Sequence, residues 1–195
     1  SSARDILIKV NDYLTENIPA GMFITVFLVI YDAAKHRISF VSAGHNPMLF
    51  YRSDEKSLSL LNPKGMPLGM PLADGVSFAD SLEESSLTLS HDDLFFIFTD
   101  GITEARDRDN RQYGMARLTS FLDSYLSENG TADVASLSKA IVNELDDFTG
   151  FQKTTDDVTF VVARCNLAVE SVRATSRPSV QVKKLGAESA NENPG

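Results

Sequence analysis

The chain has little cysteine. Cys165 stands alone, so no internal disulfide can form, and nothing in the 195 residues points to an oxidising compartment. Long apolar runs are missing as well. The longest, Met22 to Tyr31, is interrupted by Thr25 and falls short of the roughly 20 residues that cross a bilayer. The opening Ser-Ser-Ala-Arg-Asp lacks the basic-then-apolar order of a secretion signal. These absences together predict a cytoplasmic protein with no membrane insertion. Basic residues are scarce: 18 Lys and Arg stand against 27 Asp and Glu, a net charge of −9. Residues 171–195 hold Arg173, Arg177, Lys183 and Lys184 against Glu188 and Glu192, a local +2 that leaves −11 on residues 1–170. Such a body repels phosphate backbones and anionic lipid, which excludes a nucleic-acid partner. Gly-rich phosphate loops of the GxxxxGK[ST] or GxGxxG kind are absent. So is the G-x-S-x-G elbow that would mark a serine nucleophile.

What is present suits one ordinary core. The hydrophobic fraction of 43% is that of a globular protein. Ile6, Leu7, Val10 and Leu14 recur at helical spacing, which predicts an amphipathic helix over 3–16. Met22 to Tyr31 is β-branched and aromatic, as in a strand covered on both faces, and Arg37 to Ala43 completes a hairpin with it. Further strands are expected at Met48–Tyr51, near Leu58–Leu61, within Ser77–Ser90, at Leu94–Phe98 and at Val158–Ala163. Two helices lie between the last two, one carrying Leu118, Leu122 and Leu126, the other Val134, Leu137, Ile141 and Leu145. Periodicity ends near residue 166, so 166–195 reads as a disordered tail behind a domain spanning 1–165. The order gives an α+β fold, with helices on the faces of an antiparallel sheet or sandwich.

Two acidic strand ends stand out. Asp100 follows Leu94–Phe98 and precedes Gly101; Asp156-Asp157 precedes the final strand. Two acidic strand ends entering a common sheet edge could converge on a hard cation, which prefers oxygen ligands. Asp is equally a residue of turns and helix N-caps, and spacing leaves both readings open. His45 has no second histidine placed to form a ligand pair and reads as a turn residue. Cys165, with no histidine nearby, reads as an inert thiol.

Six segments in order carry a family resemblance: GMFITVFLVIYD (21–32), SAGHNP (42–47), GMPLG (65–69), DDLFFIFTDGITEARD (92–107), YGMARL (113–118) and TDDVTFVVAR (155–164). The chain resembles the SpoIIE-type bacterial serine phosphatases, a branch of the metal-dependent protein phosphatases (PPM, type 2C). The resemblance implies a type 2C phosphatase-like antiparallel β-sandwich flanked by helices. It also implies a two-metal Mn2+ or Mg2+ site and hydrolysis of phosphoserine or phosphothreonine by a metal-activated water, with no protein nucleophile. Carried over by motif, Asp100 and Asp156 are the metal ligands. Asp157 stands behind Asp156 as a hydrogen-bonding neighbour, and Gly101 permits the tight turn. The implied partner is a phosphorylated signalling protein, such as a STAS-domain anti-sigma-factor antagonist. The family's upstream D-x-x-G-H-G segment, source of the bridging carboxylate, is not found here; Asp74-Gly75 is the only other Asp-Gly pair and stands in the wrong context. The expectation is therefore a domain lacking its N-terminal strands, with little activity alone and an exposed apolar edge. A noncatalytic phosphatase-like module that binds a partner is the alternative. Oligomeric state is open.

Overall fold

A computed structural model describes residues 2–130, 133–151, 157–167 and 183–184. The chain opens with helix α1 (Ala3–Asn17). Ser2 caps it reciprocally: its hydroxyl accepts from the Asp5 amide at 3.1 Å while the Asp5 carboxylate accepts from the Ser2 amide at 3.0 Å. Strands β1 (Val26–Asp32), β2 (Arg37–Ala43), β3 (Met48–Arg52) and β4 (Ser57–Leu61) follow. A four-residue helix α2 (Phe78–Ser81) then precedes β5 (Glu84–Thr88) and β6 (Leu94–Phe98). After the helical turn α3 (Asp100–Thr103) come α4 (Gly114–Asn129), α5 (Val134–Thr149), β7 (Phe160–Arg164) and the short β8 (Lys183–Lys184).

Among the described residues the strands pair antiparallel throughout. They form one sheet ordered β1-β2-β5 and another ordered β7-β6-β3-β4-β8. The period-2 alternation of side chains divides the core into three layers. Between the sheets lie Ile38, Phe40, Met48, Phe50, Leu61 and Leu87, with Phe27 and Val29 at the margin. The far face of the smaller sheet packs Val41 and Ala43 against Ala3 and Leu7 of α1. The far face of the larger sheet packs Leu49, Phe96 and Phe98 against Leu118, Leu122 and Leu126 of α4 and Leu137, Ile141 and Leu145 of α5. At about 2 kcal/mol for each buried aliphatic side chain, those six helical residues contribute on the order of 10 kcal/mol. Docking on the sheet, more than intrinsic propensity, therefore holds the two helices. Among the described residues no helix is long and apolar enough to cross a membrane.

Two expectations change. Regular β1 begins only at Val26, and Met22, Phe23 and Ile24 are exposed. Ile24 instead exchanges backbone hydrogen bonds with Leu68 at 3.0 and 2.8 Å. Val26 to Ile30 are half-buried, because β1 is the end strand of a three-stranded sheet and not a central one. Ser77–Ser90 also holds a turn of helix before its strand. At the domain's far end, Cys165 and Leu167 are buried in the inter-sheet core, and residues 183–184 pair with β4. The rest of the expected tail lies outside the described residues.

Candidate metal centre

Register decides what shares an end of the larger sheet. Phe98 pairs with Phe160, Leu49 with Phe96, and Met48 with Leu61. Asp100, the 157–159 segment, the 44–47 loop and the start of the 62–69 loop therefore emerge at one end. At the opposite end stand Arg52, Asp93 and Cys165.

At the Asp100 end, β6 and β7 stay locked beyond their last regular pair. The Thr99 amide donates to the Thr159 carbonyl at 2.9 Å. The Thr159 amide donates to the Thr99 hydroxyl at 3.0 Å, and that hydroxyl lies 3.2 Å from the Asp157 carbonyl. Gly101 is buried against the same segment, so close that an added Cβ would strike the Asp157 carbonyl oxygen. Glycine is needed there for space and not for its backbone freedom. Asp100 is the first residue of α3 and is exposed, its carbonyl accepting from the Glu104 amide at 2.8 Å. Asp157 is exposed next to Gly101. Asp156, the other expected ligand, lies outside the described residues.

Asp100 thus presents a hard oxygen donor where β6 ends, beside a 157–159 segment packed directly on Gly101, and this suits one side of a divalent-cation site. Among the described residues, no group of three or more His, Cys, Asp or Glu side chains is placed to hold a metal.

The two glycine-bearing loops at this end are fitted to one another. Gly44 has φ of +73° and lies where a Cβ would come within 2.5 Å of the Pro67 ring, while Gly65 abuts the Ser42 carbonyl. His45 stacks edge-on to Phe27 and its Nδ1 lies 3.1 Å from the Asn46 carbonyl, the local contacts of a turn residue. The residue that the sequence reading missed is Thr99. Its available signal was a hydroxyl at a strand exit, where Ser and Thr side chains compete for backbone partners.

The comparisons agree with this architecture. The chain is 28% identical over 160 residues to the phosphoserine phosphatase RsbU of Bacillus subtilis, covering 82% of this chain and 44% of that protein. It superposes on the SiaA-PP2C domain of Pseudomonas aeruginosa with a TM-score of 0.69 and 17% identity, over 85% of this chain and 61% of that one. A Mn-presoaked phosphatase domain of SpoIIE from Bacillus subtilis gives a TM-score of 0.55 at 18% identity, over 85% and 68%. These likenesses show an α+β fold of two antiparallel sheets flanked by helices, of the PP2C type. The chain spans under half the length of the curated relatives it matches. The profile of the stage II sporulation protein E (SpoIIE) family matches residues 1–166, and the chain belongs to that family.

Proposed function

We propose that this chain is part of a metal-dependent protein serine/threonine phosphatase that removes phosphate from phosphoserine or phosphothreonine on a signalling protein. The observation that carries the reading is the latch between Thr99–Gly101 and Asp157–Thr159, which joins two acidic strand ends at one edge of the sheet. Membership of the SpoIIE family and the likeness to a phosphoserine phosphatase support the reaction class. The finer assignment, a STAS-domain anti-sigma-factor antagonist as substrate, rests on the family resemblance.

In this reading Asp100 and Asp156 ligate one Mn2+ or Mg2+. When bound, the metal supplies an activated water and offsets the negative charge of the phosphate. The chain's own residues position: β6 holds Asp100 at its exit, Gly101 admits the neighbouring strand, and Asp157 stands beside the ligand pair. Two aspartates are too few for a two-metal centre, so a further carboxylate must complete it.

The test is Mn2+-dependent phosphate release from a phosphoserine peptide by protein in which a further segment supplies the completing carboxylate, with Asp100→Asn and Asp156→Asn as comparisons. Each substitution is expected to remove the metal-dependent turnover. Turnover that survives either one overturns the ligand assignment. A phosphopeptide bound without any turnover would mark a noncatalytic phosphatase-like module instead.

A further inference from the structure

In a hydrogen-bonded antiparallel pair the two residues exchange both amide-to-carbonyl bonds. Thr99 and Thr159 make one half of that exchange in the ordinary way, Thr99 amide to Thr159 carbonyl at 2.9 Å. The other half is altered. The Thr159 amide donates to the Thr99 hydroxyl at 3.0 Å. The Thr99 carbonyl accepts instead from the Ile102 amide at 3.2 Å and so opens the helical turn that carries Asp100.

We propose that Thr99 is a positioning residue for the candidate metal centre, its hydroxyl taking the hydrogen bond that its own carbonyl would otherwise accept. The substitution of side chain for main chain solves a local conflict. The ladder must continue far enough to hold 157–159 against β6, yet the backbone must turn away at Asp100. One carbonyl cannot serve the Thr159 amide on the sheet and the Ile102 amide in the turn along the same direction. With the hydroxyl facing β7, both amides are satisfied, and the ligand-bearing turn is fixed relative to the neighbouring strand. The hydroxyl proton has two acceptors within reach, the carbonyls of Asp157 at 3.2 Å and Thr159 at 3.3 Å, so it faces the segment next to Asp156 in either orientation. Thr103 secures the turn from its other end, its hydroxyl donating to the Asp100 carbonyl at 3.2 Å.

This inference rests on the reading of Asp100 as a metal ligand, and its test separates the two. Mn2+ is titrated into the full chain and followed by paramagnetic broadening of amide signals near Asp100 and Asp157, alongside hydrogen exchange at the Thr159 amide. Thr99→Val keeps the shape and removes the hydroxyl. It is expected to speed exchange at Thr159 and to weaken Mn2+ binding roughly tenfold, the scale seen when groups behind metal ligands are removed. Thr99→Ser, which keeps the hydroxyl, is expected to restore both. Thr99→Ala carries the comparison should the valine variant not fold. Faster Thr159 exchange with Mn2+ affinity unchanged overturns the positioning role and leaves the metal reading standing. Mn2+ affinity unaltered by Asp100→Asn overturns the metal reading, and the positioning role with it, whatever the exchange data show.

Discussion

Gly101 and Asp157 are packed so closely that the glycine's missing side chain is the space occupied by the aspartate's carbonyl. Gly101→Ala is therefore expected to force β7 away from α3. The loss should be about 1–3 kcal/mol, the range for overpacking a fitted contact. Chemical denaturation measures it, and amide shifts confined to residues 99–102 and 157–160 would locate it.

Asp93, at the other end of the sheet, is fully buried and accepts from Arg52 Nη1 at 2.6 Å, the Ser90 amide at 2.7 Å, and the Ser53 amide and hydroxyl at 3.0 and 3.3 Å. Asp93→Ala leaves the Ser53 and Ser90 amides without this acceptor, while Arg52 keeps the Thr88 carbonyl and the Ser53 hydroxyl keeps the His91 carbonyl. The expected destabilisation is about 3 kcal/mol, the low end for a broken buried pair, because Arg52 reaches solvent. Burial pushes the Asp93 carboxyl above its ordinary range, and the amides of Ser53 and Ser90 and the Arg52 guanidinium only partly oppose this. The folded chain then holds a proton that the unfolded chain has released, so this group's contribution makes stability rise as pH falls through that window. Asp93→Asn should remove that slope from a series of urea titrations at acid pH.

The alkaline side has its own groups. Burial raises the Tyr113 hydroxyl, with the Glu144 charge adding to it, and burial likewise raises Tyr51 and the Cys165 thiol. Each keeps its proton in the fold at a pH where the unfolded chain loses it. Stability is expected to fall as pH rises past the ordinary cysteine range near about 8.5 and then the tyrosine range near about 10. Tyr113→Phe should flatten the later part of that decline, and urea midpoints between pH 8 and 11 would show whether it does. Cys165 should also react slowly with thiol reagents until the chain unfolds.

Asn11 is a buried polar residue on α1 whose side-chain oxygen accepts from the Gly69 amide at 2.9 Å. Asn11→Ala should cost about 1 kcal/mol, the low end of the penalty for an unpaired donor, because the Gly69 amide is only part-buried. Asn11→Asp keeps an acceptor and should lose less. Equal losses in thermal or urea unfolding would show that the hydrogen bond is not the source.

How much of this was legible in advance follows the range of the forces involved. Leu94–Phe98 ending at Asp100, the two helices with their Leu and Ile spacing, and the α+β order are written in local periodicity, because burial of one face imposes the same repeat wherever the element sits. The six motif segments carried the family, and Asp100 was visible as an acid at a strand exit. The extent of β1 was not legible, since Met22 to Ile24 have the composition of a covered strand yet are exposed, and among the described residues β1 is an end strand of its sheet. Nor was the buried Asp93, whose partners at 52–53 come from a distant turn.

Alone, then, the sequence determined the main helices and strands, their antiparallel class and the acid that follows β6. Tertiary structure decided that the 157–159 segment lies against Gly101, and that the Thr99 hydroxyl stands in for its carbonyl. These depend on the register of strands more than 50 residues apart, a property of the pairing and not of either segment.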